Sequence, residues 1–101
     1  FRRVLFRSFL SKGAVSPEVA EDLCRNLYDK TKTDIVVAIT GIAGPGGATK
    51  DKPVGLVYIG ILYKDKVEVN KFIFSGSRVK VQERATQQAL NILRKKLLRI
   101  I

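Results

Sequence analysis

The sequence predicts a single α/β domain with the element order α-β-β-β-α, and three observations carry that expectation. Ile35-Val36-Val37-Ala38-Ile39 is continuously apolar and rich in β-branched residues, the mark of a central strand buried on both faces. Two further apolar stretches flank the polar turn Lys64-Asp65-Lys66, which makes an antiparallel hairpin the expected connection. Apolar residues recur at helical spacing both before and after these strands. A chain of 101 residues with 46% hydrophobic content can bury one core, and two domains would not fit.

The opening octapeptide Phe1-Arg2-Arg3-Val4-Leu5-Phe6-Arg7-Ser8 is arginine-rich and aromatic, with no clean helical or strand period. Two readings stay open: residues 1–9 form an atypical, non-native leader, or they are a genuine strand or helix end. The patterned domain is read as residues 10–101. Within it, Ser16 is placed to cap a helix, Pro17 suits the first helical position, and Glu18 faces the positive end of the helix dipole. Val19, Leu23 and Leu27 then form a stripe that should end near Thr31 and pack on a sheet.

A strand is expected from Asp34 to Thr40, followed by hairpin strands from Val54 to Tyr63 and from Val67 to Phe74. A second helix should run from about Arg78 to Arg99, with Val81, Ala85, Ala89, Ile92 and Leu93 on its apolar side. A central strand apolar on both faces needs cover on both sides and neighbours on both edges. That requirement points to a strand or helix missing ahead of residue 10.

Composition narrows the chemistry. Cys24 is the only cysteine and histidine is absent, so disulfides, CxxC redox motifs, serine-histidine triads and ordinary zinc sites are excluded within the chain. Cys24, beside Leu23 on the predicted helix, reads as a small core residue. No cofactor and no metal is expected. No apolar run approaches the ~20 residues that span a bilayer, so a cytoplasmic protein without membrane attachment is the expectation.

The net charge of +10 suggests an anionic partner: a nucleic acid, a membrane surface or a phosphorylated small molecule. Its distribution speaks against a dedicated nucleic-acid face, because the basic residues are scattered and no aromatic residue interleaves Arg94-Lys95-Lys96 and Arg99.

The segment from Thr40 to Gly55 leaves a buried strand, passes Gly41, Gly44, Pro45, Gly46 and Gly47, and re-enters a strand through Lys52-Pro53-Val54-Gly55. Glycines permit positive φ and let consecutive backbone amides approach a phosphate or carboxylate. The carboxyl end of a central strand is also where open α/β sheets bind ligands. Neither the P-loop nor the GxGxxG spacing fits, and a plain surface connection remains the alternative.

Thr40-Gly41-Ile42-Ala43-Gly44-Pro45-Gly46-Gly47, followed by Lys52-Pro53-Val54-Gly55, resembles the signature loop of the CinA carboxy-terminal domain family. Gly13-Ala14-Val15-Ser16-Pro17-Glu18-Val19-Ala20 resembles a second block of that family, and the likeness extends from about Leu10 to the end. It implies a three-layer α/β fold and a nicotinamide-nucleotide amidase: a hydrolase that converts nicotinamide mononucleotide to nicotinate mononucleotide and ammonia in pyridine-nucleotide recycling.

By the same resemblance, the nucleophile is a serine in an amino-terminal block, assisted by a tyrosine and a lysine. No residue here matches that block, and Ser8 and Ser11 lack its surroundings. The chain is therefore expected to be inactive alone, with no catalytic residue identified. What carries over is the substrate side: the amides of Gly41, Gly44, Gly46 and Gly47, the Thr40 hydroxyl, and Ser16, for which a helix cap is the competing role.

Phe74-Ser75-Gly76-Ser77-Arg78 partly resembles the family's Phe-x-Gly-(Asp/Asn)-Arg block and makes Arg78 a candidate phosphate partner, with a solvated surface arginine as the competing role. A homo-oligomer is expected. The competing readings are a small basic nucleic-acid-binding module and a non-catalytic relative of the family.

Overall fold

The computed structural model describes residues 4–10, 15–42 and 53–100. Its elements, in chain order, are β1 (Val4–Leu10), α1 (Pro17–Thr31), β2 (Ile35–Gly41), β3 (Leu56–Tyr63), β4 (Lys66–Ile73) and α2 (Arg78–Ile100). The expected α-β-β-β-α series is present and is preceded by a strand. Within the opening segment, β1 lies parallel to β2, in register from Val4↔Ile35 to Leu10↔Gly41. Arg7 and Ser8, which interrupt its apolar pattern, hid it.

The sheet order is β1-β2-β3-β4, with β2–β3 and β3–β4 antiparallel. Every residue of β2 is buried, as its unbroken apolar run required. The two faces are separated by residue parity. Ile35, Val37 and Ile39 share one face with Val57, Ile59 and Ile61, covered by Val81, Ala85 and Ala89 of α2. Val36, Ala38 and Leu62 share the other with Cys24 of α1. Helix, sheet and helix thus make three layers, with α1 across β2, β3 and β4 and α2 mainly across β2 and β3.

Small residues set the spacing of these layers. A Cβ added to Gly60 would stand 3.0 Å from Cys24 Sγ and 3.3 Å from the Ala20 carbonyl oxygen, so Gly60 is what lets α1 lie this close to the sheet. Cys24 is buried there, as expected of a core residue, and burial pushes its thiol from the ordinary 9.0 to about 11 against a smaller opposing effect from the backbone at Ala38.

Boundaries move by a residue or two. The hairpin turn is shorter than the expected Lys64-Asp65-Lys66, because Lys66 already pairs with Tyr63. Lys64 and Asp65 both take positive φ (50° and 65°), the geometry of a two-residue turn matched to strand twist. α1 ends at Lys32, also left-handed, whose N–H donates to the Tyr28 carbonyl.

Candidate functional site

Chain direction places both helix starts at one end of the sheet. β2 ends at Gly41, β3 begins opposite it at Leu56, and β4 ends at Ile73 beside Leu56. α1 opens at this end, since Val15 packs with Ile42 and Leu56, and α2 opens here because it follows β4. The amino-terminal ends of a 15-residue and a 23-residue helix therefore flank the exit of β2. Each presents roughly half a positive charge, a field that favours an anion.

The exit and re-entry of the glycine-rich segment are tied together by backbone hydrogen bonds. Ile42 N–H donates to the Leu56 carbonyl at 2.9 Å, and Gly55 N–H donates to the Ile42 carbonyl at 2.6 Å. Phe74 N–H donates to the Gly55 carbonyl at 2.9 Å, which ties the start of α2's approach to the same strand ends. Gly55 has φ +92°, and a Cβ there would lie well inside van der Waals contact with the Phe74 carbonyl oxygen. No other residue fits that position without moving the backbone.

The expected site residues fall into three groups. Thr40 and Gly41 are buried at the end of β2, with Thr40 on the face shared with α1 and paired with Tyr58. Ser16 lies at the start of α1 on that same side, and its Oγ accepts from Val19 N–H at 3.1 Å as a helix cap. Arg78 is exposed at the first turn of α2, on the opposite side of the sheet. The structure therefore brings Thr40 and Ser16 to one face and holds Arg78 across the sheet end from them. Gly44, Gly46 and Gly47 lie outside the described residues, as does Ser11, and the side chain of Ser8 is likewise not described.

The approach to α2 is braced locally. Arg84 Nη1 donates to the Ser75 carbonyl at 2.8 Å, and Ser77 Oγ accepts from Lys80 N–H at 3.3 Å. Ser77 thus occupies the cap position for which the resemblance favours Asp or Asn. The contributions of Gly55 and Ile42 to the site went unread in sequence, whereas the Gly13-Ala14-Val15 loop was expected beside the pocket. The positive φ and the contact with Phe74 arise only when β3 and β4 pair. Among the described residues, no group of three His, Cys, Asp or Glu side chains is placed to hold a metal ion.

Fold and site together define a three-layer α/β domain whose central strand ends at Gly41, between two helix amino-termini. The chain belongs to the CinA C-terminal domain family, which it matches over residues 4–97. It is similar to a putative competence-damage inducible protein of Caldicellulosiruptor bescii, 50% identical over 86 residues that make up 85% of this chain and 21% of that protein. A CinA-like protein of Fusobacterium nucleatum is 55% identical over 83 residues, 81% of this chain and 20% of its own length.

Among solved structures, the competence damage-inducible protein A of Klebsiella pneumoniae superposes with a TM-score of 0.80 at 28% identity, covering 84% of this chain and 53% of that one. A CinA superfamily protein from Enterobacter cloacae superposes with a TM-score of 0.79 at 31% identity, over 83% of this chain and 50% of that one. The chain spans about a fifth of the length of the curated relatives it matches. Among the described residues, no helix is long and apolar enough to cross a membrane.

Proposed function

We propose that this chain forms the substrate-side wall of a nicotinamide-nucleotide amidase, which hydrolyses the carboxamide of nicotinamide mononucleotide to nicotinate mononucleotide and ammonia. The observation that supports this reading is the placement of Thr40, Gly41 and Ile42 at the exit of β2, between the amino-terminal ends of α1 and α2. Backbone amides and two helix dipoles suit a phosphate or a developing oxyanion. In this reading Thr40 and Gly41, with Gly44, Gly46 and Gly47, shape the pocket for the mononucleotide, and Arg78 approaches its phosphate from the α2 side. Ser16 contributes by fixing the start of α1.

Acyl transfer also needs a nucleophile and a base to activate it. The family's serine, tyrosine and lysine block is not matched by any part of this sequence, and Ser16 and Ser77 are engaged as helix caps. The 101-residue chain should therefore release no ammonia from nicotinamide mononucleotide. Joining it to an amino-terminal segment that carries that block should restore turnover. Ammonia release by the chain alone that disappears on replacing Ser8 or Ser11 would overturn this assignment of the catalytic side.

A homo-oligomer is part of the same proposal, supported by Ile73, Val79, Leu90 and Leu98, which are large, apolar and exposed. A mass near 11.3 kDa by light scattering at micromolar concentration would remove it.

A further inference from the structure

Ala85, Ala89, Leu93 and Leu97 carry the apolar stripe of α2 through its last turns. Ile92, Lys96 and Arg99 run beside that stripe at the same helical spacing, so two cations border the edge of the core. With Lys95 they line a groove of about 170 Å³ between α2 and the sheet, floored by Ile61 and Ile92 and walled by Asn70 and Glu68 of β4. Lys96 is only 18% exposed and its Nζ donates to Glu68 Oε1 at 3.0 Å, so it fixes the wall of the groove.

The groove lies toward the other end of the sheet from Gly41 and Gly55. Ile61 and Glu68 pair across the sheet at the level of Val37, near the start of β2, whereas the glycine-rich segment leaves from its end. Arg78 and Arg99 are separated by roughly 30 Å along the axis of α2.

Charge counting shows what the groove would accept. Three cations face one acid, which leaves two positive charges before any ligand enters. The carboxyl-terminal end of α2 opposes them with only about half a negative charge, so the local field still favours an anion. Arg99 offers a planar fork suited to phosphate, Lys95 adds a point charge, and the Asn70 amide adds donors. We propose that this groove binds a small phosphorylated anion between Lys95 and Arg99, independently of the glycine-rich site. A phosphate group is preferred over a monocarboxylate because its second charge matches the second uncompensated cation.

The test is a titration of the whole 101-residue chain with inorganic pyrophosphate, and with acetate, at constant ionic strength, followed by amide NMR shifts. Pyrophosphate should move the amides of residues 92–99 and 68–70, with acetate at least about tenfold weaker. Lys95→Gln/Arg99→Gln should weaken pyrophosphate binding by about tenfold or more. Glu68→Gln, which frees Lys96 from its carboxylate, should tighten it by about threefold. Unchanged affinity in both variants, or shifts confined to residues 40–42 and 55, would overturn the proposal. So would tighter binding of a DNA duplex through these same residues, with affinity falling steeply as salt rises, since the groove would then be reading a polymer backbone.

Discussion

Replacing Gly55 with alanine tests whether the tie between the two ends of the glycine-rich segment is as constrained as its geometry indicates. Gly55 sits at φ +92°, and an added Cβ would press into the Phe74 carbonyl oxygen and stand 3.0 Å from the Phe74 carbonyl carbon. The obstacle is backbone rather than the end of a flexible side chain, so relief requires β3 and the segment after β4 to separate. Holding an L-residue at positive φ costs about 1–2 kcal/mol. Separation also weakens the Phe74 N–H to Gly55 carbonyl bond, worth about 0.5–1.5 kcal/mol net.

The expected loss is therefore roughly 1.5–3.5 kcal/mol from a total of about 5–15 kcal/mol. For a domain of this size that lowers Tm by about 6–28 °C. Thermal unfolding followed by far-ultraviolet circular dichroism, with urea titration for the free energy, reads the effect directly. Gly55→Asn separates the two causes, because Asn accepts positive φ more readily yet keeps the Cβ. A loss equal to that of alanine assigns the cost to the contact, and a clearly smaller one assigns it to φ. An alanine variant within about 0.5 kcal/mol of the parent would refute the reasoning altogether.

The thiol of Cys24 should resist a disulfide reagent at pH 8 in the folded chain and react at once in denaturant, because burial holds it protonated up to about pH 11. Its folded pKa lies above the ordinary 9.0, so its contribution to stability is complete below about pH 9 and is lost as pH rises through about 11. Cys24→Ala should flatten that part of the stability curve. Gly60→Ala should destabilise by about 1–2 kcal/mol through its contact with Cys24 Sγ, and Cys24→Ala in the same chain should recover part of the loss; strictly additive effects in a double-mutant cycle would show that the two do not touch. Ser77→Asp should raise stability by about 0.5–1 kcal/mol, an effect that shrinks with added salt, since α2 has no acidic residue in its first turn. Equal melting temperatures for the two chains at low salt would exclude a dipole contribution at that cap.

Much of the architecture was readable because each local signal had one reading. The unbroken apolar run of β2, the Ser16-Pro17-Glu18 helix start and the polar turn at Lys64 and Asp65 each identify an element without tertiary help. The block Thr40–Gly47 and the motif around Gly13 identified the family for the same reason, since the order and separation of two motifs are properties of the chain. β1 was left open because Arg7 and Ser8 broke its period, and pairing with β2 gives that strand its place.

Other features exist only after distant segments meet. Gly55 is constrained by Phe74, 19 residues on, and Gly60 by Ala20 and Cys24 of α1. The face of Thr40 follows from strand parity, and the shared orientation of the α1 and α2 amino-termini follows from the direction in which β2 and β4 run. The cations of Arg94-Lys95-Lys96 and Arg99 read in sequence as scattered surface charge. Packing α2 on the sheet turns Lys95, Lys96 and Arg99 into one wall of a groove opposite Glu68 and Asn70. Sequence determined which segments form helix and strand, because those choices depend on neighbours along the chain. Tertiary structure decided which glycines are irreplaceable and which charges converge, because both depend on contacts across the sheet.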